Sequence, residues 1–504
     1  MIKFLFICLL LFLTLVSVEG TPDQLSNEGL PPLPQSDLHR SSRPDLMRPR
    51  LVSRENTAVD ASGQHKVTSR GTARTVDAPF TVSFQAGQID KNGQFMGGTE
   101  LMNMVAYKGR LYAGNGYGLD IPGSDPRPGP QLLVLDSAGG QWQQQQAFSE
   151  KLPNGSLRFN RLTALKAVTF TTDGQGRRLP EPVSRLLVGL TGSSEGNGAV
   201  FSWDDETNTW TKMDVGKQTV RALAFYQDPV TGVDRVFAGS DTPKANGAIF
   251  SGVYDVSAPG QIRWNAQPEF TDFTHRVMAF VECNGRLYFA AKPSVYQRDN
   301  GPTPKWTTVY SYPENSIPVV SSGLRGLTCI PNPDGPGEVI LTAMEGVGQV
   351  LRINPTTGQA ITEFRIERML RKLWNGSGFY MVAAYNDMPL LRDPTSNELL
   401  YLIGLGVCPT LHQCTLQGME NSAWYLTRDS QAHYSLFEVK PLSQKPLVAV
   451  RTIIESPFSE EAGKTLYLGG YDSDHKRSHN AAWIYRVGLH TALERGSQLA
   501  SGHD

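Results

Sequence analysis

One strand-turn-strand unit recurs along the chain from about residue 80, and its recurrence predicts an all-β fold, a seven-bladed β-propeller. Three observations carry this expectation. A second-strand motif can be aligned seven times, the spacing of copies is roughly 50 to 70 residues, and helix-like periodicity is nearly absent. The 49 glycines and 33 prolines supply the turns that so many short strands need.

The aligned second strands read Arg110-Leu-Tyr-Ala-Gly-Asn, Arg185-Leu-Leu-Val-Gly-Leu, Arg235-Val-Phe-Ala-Gly-Ser and Arg286-Leu-Tyr-Phe-Ala-Ala. Three more fit the pattern: Glu338-Val-Ile-Leu-Thr-Ala, Leu399-Leu-Tyr-Leu-Ile-Gly and Thr465-Leu-Tyr-Leu-Gly-Gly. Each runs apolar and finishes in small residues. A hairpin follows in most copies, as from Val200 to Trp210, with an aromatic opening the return strand at Trp142, Trp210, Trp264 and Trp306. Four-stranded sheets that are hydrophobic on both faces can be covered only by neighbouring sheets, so the blades are expected to close in a ring. Their first strands should start near residues 100, 161, 221, 276, 325, 380 and 451. The last copy has a third strand, Ala481 to Val487, and no fourth, whereas Phe80 to Phe84 has no blade of its own. This N-terminal strand is therefore expected to complete the last blade. One helix is expected, from Ile366 to Trp374.

The segment Val200 to Trp210 resembles the strand-turn-strand of Kelch-type propeller repeats, and Thr465-Leu-Tyr-Leu-Gly-Gly-Tyr471 resembles their diglycine strand. The resemblance is degenerate and covers about residues 80 to 490. It implies the fold only, because propellers host binding proteins, hydrolases, lyases and oxidases alike.

Residues 1–20 read as a signal peptide: one cation at Lys3, a short apolar core from Phe4 to Val16, and small residues before a cleavage point near Gly20. The core is shorter than the roughly 20 apolar residues of a membrane anchor, so a secreted protein is expected. Residues 21–78 are polar, with Pro-Pro-Leu-Pro at 31 to 34, and read as a disordered leader. The propeller then spans 79–490, and 491–504 is a flexible tail. Loss of the signal leaves Cys283, Cys329, Cys408 and Cys414. The short loop between Cys408 and Cys414 favours a disulfide there, with Cys283 and Cys329 paired or free. Asn154 and Asn375 stand in glycosylation sequons.

Forty-seven Lys+Arg against 48 Asp+Glu give a formal charge of −1, so no bulk field draws the chain to nucleic acid or to a membrane surface. The charge is instead patterned. Arg161, Arg221, Arg276, Arg325 and Arg451 open five of the first strands, with Glu100 and Tyr380 at the matching place in copies one and six. In a propeller the first strands line the central channel, so these positions would surround one mouth of it. Guanidiniums gathered there suit a carboxylate, sulfate or phosphate. The competing role is scaffold, in which each arginine binds backbone carbonyls between blades.

His275, His475 and His479 are the candidate acid–base groups near that mouth. Asp472, Asp474, His475 and His479 form a weaker metal-ligand alternative, of a mixed oxygen and imidazole kind. No cofactor is indicated. The function expected is a secreted propeller that binds an anionic small molecule, acidic glycan or acidic peptide at an arginine-lined mouth. The alternative is an extracellular lyase or hydrolase using His275 or a loop histidine.

Overall fold

The computed structural model describes residues 71–493 apart from 76–79, 119–128, 194–196, 217–218, 242–246, 274, 314–322, 374–379, 384–387, 409–421, 441–444 and 477. The chain divides into two compact units, and every described residue belongs to the second, Pro49–Asp504.

The fold is nearly all β. Strands β1 (Gly71–Thr75) and β2 (Thr81–Gln85) precede a hairpin of β3 (Gln88–Ile89) and β4 (Phe95–Met96). Repeat 1 is the antiparallel meander β5 (Glu100–Tyr107), β6 (Arg110–Gly116), β7 (Gln131–Leu135) and β8 (Gln143–Ala147). Repeat 2 is β9 (Phe159–Thr172), β10 (Arg178–Gly192), β11 (Ala199–Asp204) and β12 (Thr209–Met213). Repeat 3 is β13 (Thr219–Gln227), β14 (Asp234–Asp241), β15 (Ala248–Tyr254) and β16 (Ile262–Trp264). Repeat 4 is β17 (Val277–Cys283), β18 (Arg286–Ala291), β19 (Ser294–Arg298) and β20 (Trp306–Ser311). Repeat 5 is β21 (Leu324–Pro331), β22 (Glu338–Met344), β23 (Gln349–Ile353) and β24 (Ala360–Arg365).

Repeat 6 divides its first strand into β25 (Tyr380–Ala383) and β26 (Leu390–Arg392), both paired with β27 (Leu399–Cys408), and continues through β28 (Ser422–Arg428) and β29 (Tyr434–Glu438). Repeat 7 has β30 (Leu447–Glu455), β31 (Thr465–Asp472) and β32 (Ala482–Gly488). Its fourth place is taken by β2, antiparallel to β32 with Phe84 opposite Ile484. Strand β1, within the segment read as leader, lies parallel to β29. The helix Ile366–Leu373 forms where expected. A second, Leu489–Leu493, buries Ala492 and Leu493, so the fold continues three residues into the segment read as a tail. The Tyr425 hydroxyl donates to the Ala492 carbonyl at 2.6 Å.

Burial follows position in the meander. Second and third strands are covered on both faces, as in β7, where all five residues are buried, and so they read as continuous apolar runs. The fourth strand of repeat 1, Gln-Gln-Gln-Gln-Ala, is only half-buried throughout. Seven apolar clusters join the repeats in succession. Tyr107 and Leu132 meet Phe159 and Leu186 between repeats 1 and 2. Leu187 meets Val236 between 2 and 3, Phe237 meets Phe280 and Phe289 between 3 and 4, and Tyr288 meets Ile340 and Leu351 between 4 and 5. Phe364 stacks on Tyr434 at 4.4 Å between 5 and 6, and Leu402 meets Leu468 and Trp483 between 6 and 7. The seventh cluster joins repeat 7 to repeat 1, through Tyr467 and Ile484 against Leu111 and Leu133. Apolar clusters shared between one repeat and the next are the packing logic of a β-propeller-like fold.

The glycines that end the second strands are part of this packing. A Cβ on Gly189 would fall 2.9 Å from Val220 of repeat 3, and one on Gly239 2.5 Å from Val277 of repeat 4. Gly114 stands in the same relation to Leu162, Gly404 to Val450, and Gly469 to Leu101.

A disulfide joins Cys283 of β17 to Cys329 of β21, the pair whose state the sequence leaves open. Cys414 lies outside the described residues, and with it the expected Cys408–Cys414 bridge. Among the described residues no helix is long and apolar enough to cross a membrane.

Candidate functional site

Strand pairing supplies a register independent of residue type. Each first strand outside repeat 6 carries a bulge near its start, where one residue has no opposite number on the second strand; β9 and β30 have an additional one at Asn160 and Val448. The bulged residues are Met102, Thr163, Arg221, Met278, Gly326 and Arg451. Against this register the five arginines are not equivalent. Arg221 and Arg451 are the bulged residues themselves, Arg325 precedes the bulge by one, and Arg161, Arg276 and Glu100 precede it by two. The alignment expected from sequence is corrected accordingly: a bulge inserts one residue, and side chains alternate with period two, so matching by residue type alone slips the frame.

The structure gathers the arginines around three buried carboxylates. Glu100 is 1% exposed and lies between Arg161 Nε at 3.3 Å and Arg451 Nη2 at 3.1 Å, one from repeat 2 and one from repeat 7. Arg161 also donates to the Gly118 carbonyl at 2.5 Å, and Gly118 packs so closely on the guanidinium that a side chain there would overlap it. Arg451 further contacts Met102 Sδ at 3.4 Å and lies 5.0 Å from the Tyr471 ring centroid. Arg325 donates through Nε to Glu345 at 2.6 Å and through Nη1 to Met278 Sδ at 3.3 Å. These three side chains pair with buried carboxylates, Arg161 and Arg451 reaching Glu100 from repeats 2 and 7 and Arg325 reaching Glu345.

The third group is different. Asp241, at the end of β14, faces Arg276 Nε at 3.5 Å and the field of Arg221. Burial pushes its carboxyl above the ordinary range, and the pull of Arg276, the Thr219 hydroxyl and Arg221 only partly opposes this. The Arg276 side chain is 35% exposed, against 14% for Arg161 and 6% for Arg325 and Arg451. Lys292 stands just past the end of β18, and Arg276 just before β17, its antiparallel partner.

His275 is half-buried beside Arg276 and adopts φ 74°, left-handed backbone that a histidine seldom takes. His479 lies elsewhere: its carbonyl accepts from Gly98 N at 2.7 Å and its ring meets the buried Tyr117 ring edge-on at 6.2 Å. His475 falls in the 3-10 turn Ser473–Lys476, and its side chain is outside the described residues. Asp472 accepts from the Asp474 amide at 2.9 Å, and Asp474 pairs with Lys445 at 2.7 Å. Neither carboxylate joins His479 in a ligand-like group; among the described residues the one cluster with metal-like spacing is Cys283, Cys329 and Glu338, whose two sulfurs are already bonded to each other. Tyr380 stands opposite Cys408 in the β25–β27 register. Asn154 is exposed, with its Oδ1 accepting from Ser156, and Asn375 lies outside the described residues.

Two cavities carry no signal in the sequence. One, of about 420 Å³, is a polar groove between the β3 segment and the loop before β8, lined by Ser83, Gln88, Asp90, Gln141 and Trp142. The other, of about 270 Å³, is walled by first-strand residues of four repeats: Lys166, Leu223 to Phe225, Phe280 to Glu282, and Leu327 and Thr328, with Leu287 of β18. Repeats 2 and 5, which are not sequence neighbours, face the same space.

No family model matches the chain, and no curated protein matches it in sequence. Solved structures resemble it at low identity. A protein from Lactobacillus plantarum is 9% identical, with 75% of this chain and 92% of that one covered and a TM-score of 0.39. An ancestral GH74 enzyme is 12% identical with a TM-score of 0.46; 81% of this chain is covered, and the chain spans about half, 51%, of that enzyme. The NanB sialidase from Streptococcus pneumoniae is 12% identical, with 82% and 70% covered and a TM-score of 0.38. The strand pairing and the apolar clusters between repeats, not these likenesses, define the fold.

Proposed function

We propose that the chain is a seven-bladed β-propeller sealed by β2, secreted, and that it binds an anionic ligand where Arg221 and Arg276 open repeats 3 and 4. The ligand is a carboxylated small molecule, an acidic glycan or an acidic peptide. Within the propeller class we read the repeats as degenerate Kelch-like units, the support being the close packing that Gly469 and Gly470 permit in repeat 7.

The observation that carries the binding role is Arg276. It is the most accessible of the five arginines, and its carboxylate neighbour is 3.5 Å away and resists ionisation. A guanidinium so weakly matched retains attraction for an incoming anion, whereas those bound to Glu100 and Glu345 are already engaged.

The test is calorimetric titration of sulfate and glucuronate into wild-type protein and into Arg276→Lys alone and with Arg221→Lys. A lysine keeps the charge and loses the fork of donors, so each variant is expected to fold and to bind at least tenfold more weakly. Folded variants with unchanged affinity contradict the proposal. Unfolding of the single variant assigns Arg276 to the scaffold instead.

A lyase or hydrolase is the second reading, favoured by His275 alone: a strained residue next to the anion site is a place where function accumulates. Following product formation from a uronide in the same titrations decides it. Turnover that His275→Gln abolishes while anion affinity persists supports an enzyme, and absence of turnover leaves the binding protein.

A further inference from the structure

The Cys283–Cys329 disulfide has a carboxylate beside it. Cys283 ends β17, Cys329 lies in β21 and Glu338 opens β22. Their two sulfurs and a carboxylate oxygen all lie within 4.8 Å of one another. Glu338 is held there by the turn that follows Cys283. The Asn284 backbone N–H donates to Glu338 Oε2 at 2.7 Å, and Asn284 Nδ2 donates to the Glu338 carbonyl at 2.9 Å. The Glu338 backbone N–H donates in return to Asn284 Oδ1 at 2.9 Å. Cys283 is part of the apolar cluster between repeats 4 and 5, and Cys329 packs against it. The approach of the three donors therefore has supports besides the sulfur–sulfur bond.

We infer that this group is a redox-gated metal site: with the disulfide reduced, Cys283, Cys329 and Glu338 bind one thiophilic divalent ion of the zinc class. Reduction by a dithiol or a phosphine delivers two electrons and two protons and turns the disulfide into two thiols. Coordination then releases both thiol protons, because thiolate is the ligand form. Zinc takes thiolate sulfur at about 2.3 Å and carboxylate oxygen at about 2.0–2.2 Å in a tetrahedral shell, which sets the donors about 3.5–3.8 Å apart. Donors already within 4.8 Å of one another reach this by side-chain rotation. Two thiolates select such an ion over magnesium or calcium, which prefer oxygen alone. Three protein ligands leave the fourth position to water. Cys329 is half-buried and Glu338 exposed, so reductant and ion reach the group from solvent. Ion and disulfide exclude each other, since both use the same two sulfurs. In the oxidised chain a covalent bond joins repeats 4 and 5, and in the reduced chain the ion takes its place. The site shares no residue with the Arg221–Arg276 mouth, and its failure would leave that proposal untouched.

The experiment reduces the full chain with a phosphine, removes metal, and follows alkylation by iodoacetamide at each cysteine by mass spectrometry as zinc is added. A separate readout for each cysteine keeps Cys8, Cys408 and Cys414 out of the result. Zinc is expected to slow alkylation of Cys329 at least tenfold and to shield Cys283 in parallel, while magnesium does neither. Glu338→Gln should need at least tenfold more zinc for the same protection, and Cys283→Ser should leave Cys329 unprotected. Glu338 is exposed, so its variant keeps the fold, and circular dichroism checks each protein. If Cys283→Ser does not fold, the unaltered chain and Glu338→Gln still decide. Absence of zinc protection, or equal protection in Glu338→Gln, overturns the inference. Protection of Cys329 that persists in folded Cys283→Ser overturns it too, and so does a reduced chain that is unfolded before zinc is added.

Discussion

Asp241 decides how strongly Arg276 attracts a ligand. Its carboxyl is displaced upward, chiefly by burial, so as pH falls from neutral it takes up a proton earlier than an ordinary aspartate. Loss of that negative charge releases Arg276, and affinity for an anion should rise as the medium becomes acidic. Sulfate is the suitable probe because it stays dianionic throughout. The wild type is expected to gain about tenfold, the equivalent of roughly one pKa unit of coupling, while Asp241→Asn binds tightly at every pH with a flat profile. A wild-type profile that is flat, or that rises with pH, contradicts this role for Asp241. At this scale much is legible in the sequence. Recurrence picks out all five arginines and Glu100, because identical residues at repeat-like spacing stand out against a near-neutral chain. Their register is not legible, since a bulge leaves no mark on residue type. Recurrence also passes over Glu345, although an acid where a second strand ends is a signal shared with Asp241. Lys166 and Glu282 are visible only as isolated charges in apolar first strands, where a sequence offers no way to know that they line one cavity.

Among the elements, the second strands explain the interlocking of repeats. In the sequence their terminal glycines read as turn signals. In the fold each accepts the side chain of a first-strand residue from the next repeat: Gly189 takes Val220, Gly239 takes Val277, and Gly469 takes Leu101. The contact between repeat 7 and repeat 1 is thus of the same kind as those between sequential neighbours. Gly239→Ala places a methyl group 2.5 Å from Cβ and Cγ1 of Val277, a β-branched side chain with little freedom to move. It should lower unfolding free energy by about 1–3 kcal/mol in denaturant titrations. Unchanged stability would show that the repeats pack more loosely than these distances imply. The strand order itself is largely readable, because continuous apolar runs bounded by Gly, Pro, Asn and Asp mark short buried strands. The divided first strand of repeat 6 and the pairing of β1 with β29 are not, since both depend on partners distant in sequence. The disulfide falls between repeats 4 and 5 for the same reason: 46 residues separate its cysteines, and only the fold brings them together.

For the whole molecule, the proposed ring is the step on which the proposed function depends. Seven apolar clusters link the repeats in order, and the seventh returns from repeat 7 to repeat 1. The N-terminal strand β2 supplies the fourth strand of repeat 7, as the unmatched Phe80 to Phe84 segment suggests. A ring also makes first strands of non-neighbouring repeats face each other across a shared axis, which an open array of sheets would not do. The most direct measurement is a short amine-to-thiol cross-link between Lys166 of repeat 2 and a cysteine placed by Thr328→Cys in repeat 5, mapped by mass spectrometry on the folded monomer. A closed ring predicts a single intramolecular product joining the peptides that contain residues 166 and 328. A folded monomer that yields no such product, while its other lysines react normally, would contradict it.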